Sequence, residues 1–136
     1  QERLADYQHR RSPWPCGWPD SRVYLGVSVW DQASADRMIP ELLATPAAGR
    51  YVSFEPALAM VDFRPWLADL GGVIMGCESG PQRRPARQEW FADVAAQCVL
   101  AGKPFYAKQI AECEDGSGRV IHYPPRSGCL PWRLPT

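Results

Sequence analysis

Four runs rich in β-branched and aromatic residues alternate with three segments of helical composition, and this order most limits the folds open to the chain. The runs are 23–30, 50–58, 71–79 and 104–110, and the segments between them are 31–45, 62–70 and 87–103. Strands separated by helices pair in parallel through right-handed crossovers. Near-continuous apolar strands are typical of a sheet covered on both faces. The pattern therefore predicts a βαβαβαβ unit built on a parallel sheet.

Capping residues and prolines refine the helical segments. Asp31 or Ser34 is available to cap the first, and Gly102 is placed to end the last. Pro40 lies inside the first segment, and because proline lacks an N–H and clashes with the preceding turn, we expect a kink or a new helix near it. Asp62 is the candidate cap of the short middle helix.

The two flanks of the repeat differ from it in composition. A proline- and tryptophan-rich stretch precedes the first strand, and a glycine- and proline-rich stretch follows the last, with room for a short strand at 120–123. We therefore expect an irregular N-terminal segment (1–22), the βαβαβαβ unit (23–110) and an irregular tail (111–136). The 136 residues suit one domain. The chain begins with Gln1 rather than Met, which leaves open that it is a piece of a longer protein.

Charge and cysteine content exclude several classes of protein. Fifteen basic and fifteen acidic side chains cancel, so no overall field attracts nucleic acid or a membrane surface. Neither an 18-residue apolar run nor a signal peptide is visible, which predicts a cytoplasmic protein with no membrane partner. The cysteines are odd in number, without a CxxC pair or zinc-finger spacing. His9 and His122 have no acid or cysteine at ligand spacing, so no metal site is predicted.

Polar residues collect where the predicted strands end. In parallel α/β folds, ligands bind at the carboxyl ends of the strands. Neighbouring strands lie about 4.8 Å apart, so Glu55 and Glu78 are expected to be neighbours, with Lys108 close by. Such a group can hold an amino or hydroxyl group or move a proton. The alternative is a structural ion-pair network at the sheet edge.

The segment that follows the third strand adds groups that suit an anion. Gly76 allows a ligand or another backbone to approach the strand, and Gly80 allows a sharp turn before Pro81. Arg83 and Arg84 suit a carboxylate or a phosphate, although two such arginines more often belong to a solvated loop. Trp30, after the first strand, is placed either to stack on a ring or to pack.

Three stretches of the chain are similar, in the same order, to the C-terminal half of a phage and bacterial family. They are "VYLGVSVWDQASADRMIPELLATPAAGRYVSFEPAL", "VIMGCESGPQRRP" and "AGKPFYAKQ", which together span Val23–Gln109. The family is the phage gp-thirty-seven/gp-sixty-eight type, which is related to radical SAM enzymes and has no settled activity. The resemblance implies the later strands of a TIM-like barrel, that is, a half-barrel. It also implies that S-adenosylmethionine is held across the strand ends.

The resemblance assigns roles to the residues at the strand ends. The expected catalytic or ligand-orienting residues are Glu55, Glu78 and Lys108. The expected cofactor contacts are Ser28, Ser53, Gly76, Ser79, Gly80 and Gln109. Members of the family hold a [4Fe–4S] cluster on cysteines near their N-terminus, and that half is missing here. The resemblance therefore implies a cluster only with an N-terminal half, and no activity for this chain alone.

Two other functions fit the same sequence. The chain could be a non-catalytic, phage-derived protein that binds a host protein or nucleic acid, because a half-barrel exposes strand edges that need a partner or a twin subunit. It could also bind a small molecule without any radical chemistry. Loss of ligand binding in Glu78→Ala favours the enzyme, whereas indifference to that change favours the binding protein.

Overall fold

The computed structural model describes residues 18–122, which form a five-stranded mixed α/β unit. The strands are β1 (Tyr24–Val29), β2 (Gly49–Phe54), β3 (Val73–Gly76), β4 (Phe105–Ala111) and β5 (Val120–His122). The helices are α1 (Gln32–Ala44), α2 (Gln88–Leu100) and a 3-10 turn (Leu67–Asp69). The strands lie in the sheet in chain order, with β1 to β4 parallel and β5 antiparallel to β4. The predicted α/β class and parallel βα repeats are confirmed.

Helix α1 begins with a capping box. The Asp31 side chain accepts from Ser34 N at 2.8 Å, and Ser34 Oγ accepts from Asp31 N at 3.0 Å. The helix continues through Pro40, so the new helix considered at that position does not form. Pro40 and Asp36 are both exposed, which allows water to reach the carbonyl that the proline leaves unpaired. At the other end, the Arg50 guanidinium donates to the Thr45 carbonyl at 2.7 Å.

The predicted helix over 62–70 is wrong, because only the 3-10 turn forms there. Its last amides bond three residues back, Asp69 N to Trp66 O and Leu70 N to Leu67 O, and its first amides bond to side chains of α1 and α2. Asp62 N donates to Gln32 Oε1 at 2.8 Å, and Phe63 N donates to Gln97 Oε1 at 2.7 Å. The segment is a connection that buries Phe63, Leu67 and Leu70 rather than a third helix.

The sheet has one face in the hydrophobic core. On that face a row of register partners, Val52 and Val73 with Phe105, is buried, and Val29, Phe54 and Met75 form a second buried row. The opposite face carries larger and more polar side chains that are partly exposed, among them Tyr51, Ser53 and Lys108. The strands that were expected to be covered on both faces are therefore fully buried on one face only, within the described residues.

The sheet extends past the boundary predicted at residue 110. Strand β4 runs to Ala111, and β5 pairs with it where a short strand fitted at 120–123. Gly102, at φ +64°, closes α2 as predicted. The remaining parts of the predicted irregular segments, 1–17 and 123–136, lie outside the described residues, and so do Cys16, Cys129 and His9. In residues 18–122, no helix has the length and apolar character needed to cross a membrane.

Candidate functional site

A cleft of about 660 Å³ opens at the carboxyl ends of β2, β3 and β4. Six of the nine predicted site residues line it: Glu55, Glu78, Ser79, Gly80, Lys108 and Gln109. The other lining residues are Pro56, Cys77, Pro81, Gln82, Arg83 and Arg84. The predicted strand ends therefore meet at one cleft, which both predicted carboxylates line.

Glu55, which follows β2, and Lys108, on β4, form an ion pair across the end of β3, and the lysine was expected close to the carboxylates. Lys108 Nζ lies 3.3 Å from both carboxylate oxygens of Glu55, and it donates a hydrogen bond to Oε2. Ser53 Oγ donates to the same oxygen at 3.1 Å. The Lys108 side chain is 49% exposed and that of Glu55 only 20%. The lysine therefore shields the carboxylate from solvent.

A register shift places Lys108 in the cleft. Met75 pairs with Ala107, but the next residue of β3, Gly76, pairs with Gln109, so Lys108 has no partner on β3. Such irregularities recur beside functional sites, where they redirect a side chain. The sequence gives no signal for this shift.

Gly76 forms the floor under the Glu55 carboxylate. A Cβ built on Gly76 would collide with Glu55 Oε1, so a side chain at residue 76 is incompatible with the observed position of Glu55. That oxygen is buried and has no hydrogen-bond partner. The close approach predicted for Gly76 does occur, but the approaching group is a carboxylate of the same chain.

Glu78 lines the cleft but binds a different cation from the one expected. Its Oε2 accepts from Arg84 N at 2.7 Å, and its Oε1 accepts from Arg84 Nε at 3.0 Å and from Nη2. The hydrogen bonds from the Arg84 side chain and backbone hold the pKa of Glu78 below its ordinary value. Glu78 therefore fixes the loop that follows β3, and Lys108 is left to Glu55 alone. The structure divides the expected three-membered group into two ion pairs.

The remaining predicted residues have mainly structural surroundings. Gln109 is buried, and its Nε2 donates to the Cys77 carbonyl at 2.7 Å. Ser28 is exposed and pairs in register with Ser53, outside the cleft lining. A turn forms at Pro81 and Gln82, but Gly80 has no positive φ and a Cβ there would meet open space, so the turn does not require glycine at residue 80. Trp30 is partly exposed and does not line the cleft.

Residues of the β4–β5 connection were missed by the sequence argument, although they hold the edge of the cleft. Gly118 O accepts from Arg83 Nη2, and Glu114 O accepts from Ala86 N at 3.2 Å. Glu114 also accepts from Gln88 N, at the start of α2, at 3.1 Å. These contacts join residues about 30 positions apart, so no local pattern announces them.

Metal-binding groups do not assemble within residues 18–122, where no three His, Cys, Asp or Glu side chains lie close enough to hold an ion. Cys77 and Cys98 are buried, and burial raises the pKa of both thiols, that of Cys98 to about 11. Cys113 is exposed and lies apart on the β4–β5 connection. These residues do not fit a [4Fe–4S] cluster.

Comparison with known proteins places the chain in a family without assigning it an activity. No curated protein and no solved structure matches it significantly. One family matches residues 1–122, which include the whole cleft and all five strands. The chain therefore belongs to DUF5131, a family of proteins of unknown function.

Proposed function

We propose that this chain is the ligand-positioning part of a radical-SAM-like protein and that its cleft holds S-adenosylmethionine. The observation that carries the proposal is the Glu55–Lys108 pair, which sets a carboxylate beside an ammonium at the carboxyl ends of parallel strands. The methionine end of the ligand carries an ammonium and a carboxylate of its own. On binding, Glu55 would pair with the ligand ammonium and Lys108 with the ligand carboxylate, so both charged groups of the ligand would be held.

The arrangement of Glu55 supports such an exchange. Its Oε1 is buried and accepts no hydrogen bond, although the Lys108 ammonium lies 3.3 Å away, and buried acceptors without a hydrogen bond are uncommon in folded proteins. Lys108 is half exposed and is free at its outer side to turn toward a ligand carboxylate. That movement uncovers Glu55 for an ammonium or a ribose hydroxyl. The volume of about 660 Å³ falls in the range of about 300–1,000 Å³ that is usual for ligand pockets.

The proposed half-barrel accounts for the strand order. Four parallel strands in chain order are the arrangement found within a TIM-like barrel, which needs eight to close. Because β5 pairs antiparallel with β4, a barrel can continue only from the β1 side. We place the missing N-terminal half at that edge, as a further segment or a second chain.

The chemistry proposed for the complete protein divides between its parts. When bound beside a reducing [4Fe–4S] cluster, S-adenosylmethionine would supply the chemistry that removes a hydrogen atom from an unidentified substrate. Residues 18–122 do not fit the cluster, which belongs in this proposal to the N-terminal half. The residues of this chain bind and orient: Glu55 accepts from amino or hydroxyl groups, Lys108 meets a carboxylate, and Glu78 keeps the rim loop in place. Alone, the chain is proposed to be inactive.

Calorimetric titration of the chain with S-adenosylmethionine tests this proposal. Glu55→Gln removes a charged acceptor worth about 1.5–3 kcal/mol, so binding should weaken at least tenfold. Gly76→Ala should weaken it similarly, because the new methyl group displaces the same carboxylate. Glu41→Gln, an equal change of charge on the exposed side of α1, is the control and should bind normally. Absence of measurable binding by the wild-type chain contradicts the proposal.

A non-catalytic binding protein is the second candidate, and a separate observation favours it. Strand β1 has no partner on its outer side within the described residues, and its sequence YLGVSV contains no charge or proline to prevent pairing with another chain. This candidate predicts a homodimer, or a stable complex with a host protein or nucleic acid, that Glu55→Gln leaves intact. Light scattering after size-exclusion chromatography measures the self-association. A monomer at all concentrations contradicts the homodimer.

A further inference from the structure

The positive and negative side chains that line the cleft are unequal in number. Three cations, Arg83, Arg84 and Lys108, face two carboxylates, Glu55 and Glu78. Arg84 pairs with Glu78 and Lys108 with Glu55, and no carboxylate of residues 18–122 forms an ion pair with Arg83. One positive charge is therefore left without a counter-charge at the wall of the cleft. A concave site with a surplus of one sign concentrates ligands of the other.

Arg83 is held in place by uncharged acceptors. Its Nη1 donates to Gly80 O at 3.0 Å, and its Nη2 donates to Gly118 O. Carbonyl oxygens orient a guanidinium without cancelling its charge, and a guanidinium has five N–H donors in a fixed fork. The Nε of Arg83 is buried and has no acceptor at all. The Arg83 side chain is therefore held in one orientation, while one of its N–H donors has no acceptor and its positive charge has no carboxylate partner within residues 18–122.

The β4–β5 connection, residues 112–119, supplies the contacts that fix this arginine. Gly116 lies at φ +87°, and a Cβ there would come within 2.7 Å of the Arg83 carbonyl oxygen. Glu114 O and Glu114 Oε1 accept from Ala86 N and Gln88 N, on the far side of the same loop. The part of the loop from Arg83 to the start of α2 is therefore held against residues 112–119.

We propose that Arg83 recognises an anionic group of the ligand, a carboxylate or a phosphate, and that residues 112–119 are the element that positions it. The inference rests on the proposed function in one respect, that the cleft takes a ligand. It adds an anion-binding position on the rim loop, apart from the Glu55–Lys108 pair. Because the guanidinium fork can meet two oxygens at once, it suits either oxyanion.

Nuclear magnetic resonance titrations of the whole chain with inorganic phosphate, and separately with acetate, test the anion site. We expect saturable shifts of the backbone amides of residues 78–87, with the tighter of the two anions identifying the preferred group. Arg83→Gln should weaken binding at least about tenfold, the usual worth of a charged hydrogen bond, and Arg83→Lys should weaken it less. Arg37→Gln, an equal change of charge on the exposed side of α1, should bind as the wild type does. Shifts that are absent from residues 78–87, or unaltered in Arg83→Gln, overturn the proposal.

Two glycine variants test the positioning element. Gly116→Ala and Gly102→Ala both place a side chain at positive φ, but only residue 116 also presses on the Arg83 carbonyl, whereas residue 102 has nothing within 4 Å. We expect faster amide hydrogen exchange across residues 78–87 in Gly116→Ala, together with weaker anion binding. Gly102→Ala should show neither effect. Equal exchange in the two variants overturns the positioning role, and this readout requires no ligand.

The two proposals fail in different ways. If phosphate or acetate binds through Arg83 but S-adenosylmethionine does not bind, the proposed function is wrong and the anion site stands. If S-adenosylmethionine binds but phosphate and acetate cause no shifts in residues 78–87 that depend on Arg83, the anion site is wrong and the proposed function stands.

Discussion

The glutamine at position 97 gives the sharpest test of how the connection between β2 and β3 is held. Gln97 lies on α2 and is only 7% exposed. Its Oε1 accepts from Phe63 N at 2.7 Å, and its Nε2 donates to Val61 O at 3.0 Å and to Asp93 Oδ2 at 2.6 Å. One side chain therefore satisfies two buried backbone groups of a segment that forms no helix of its own.

Replacing Gln97 by Met keeps the length of the side chain and removes these hydrogen bonds. The Phe63 N–H and the Val61 carbonyl are then buried without a partner, at about 1–3 kcal/mol each. Asp93 is partly exposed and can be hydrated instead. The apolar side chain recovers about 1 kcal/mol by burial. We therefore expect Gln97→Met to lower the free energy of unfolding by about 1–5 kcal/mol.

Urea denaturation followed by tryptophan fluorescence measures this loss. Gln32→Met is the matched control, because Gln32 Oε1 accepts from the neighbouring amide, Asp62 N, at 2.8 Å but is partly exposed. Water can replace that contact, so the control should lose less than about 1 kcal/mol. If the two variants lose the same stability, a buried amide on α2 does not hold this segment.

Three further predictions concern single residues. The Arg84 contacts lower the pKa of Glu78, so the stability that these contacts give is complete at neutral pH. It is lost as pH falls below about 4.3, the ordinary pKa of glutamate, and on through the lowered pKa. Urea midpoints measured at several pH values should therefore be less sensitive to acid in Glu78→Gln than in the wild type. Asp31→Ala removes the cap of α1 and should destabilise the chain by about 1 kcal/mol in the same assay, whereas Asp31→Asn should lose less. Since burial raises the pKa of Cys77 and Cys98, peptide mapping after alkylation at neutral pH should find both unmodified until denaturant is added; labelling of either in the folded chain contradicts their burial.

The strands could be predicted from sequence because each is a short apolar run next to a strong punctuation signal. Strand β2 ends before Pro56, and α1 begins at Asp31, as the residue types indicate. The segment 62–70 could not be predicted, because its composition suits a helix while its backbone amides bond to Gln32 and Gln97 from two distant helices. Contacts with distant parts of the chain determine the structure of this segment, and a local sequence pattern does not reveal such contacts.

The candidate site was predicted in position but not in pairing. Strand ends alone brought Glu55, Glu78 and Lys108 to one cleft. Pairing depended on two features without a local signal, the register shift beside Gly76 and the turn that returns Arg84 to Glu78 six residues later. The position of a residue along the sequence predicts which edge of the sheet it lies at. It does not predict which of several nearby charged side chains it pairs with.

Gly76 shows how these levels connect. Gly76 is the last residue of β3, where a glycine supplies no side chain to pack and has more backbone freedom to lose on folding than any other residue. The compensation visible here is space for Glu55 Oε1 against the strand, where Lys108 and Ser53 can reach the other oxygen. A purely structural ion pair needs no such floor, because exposed pairs form without one and contribute little. In the proposed function, the glycine at this position is explained by a Glu55 carboxylate that is held ready for a ligand, rather than by the stability of the sheet edge.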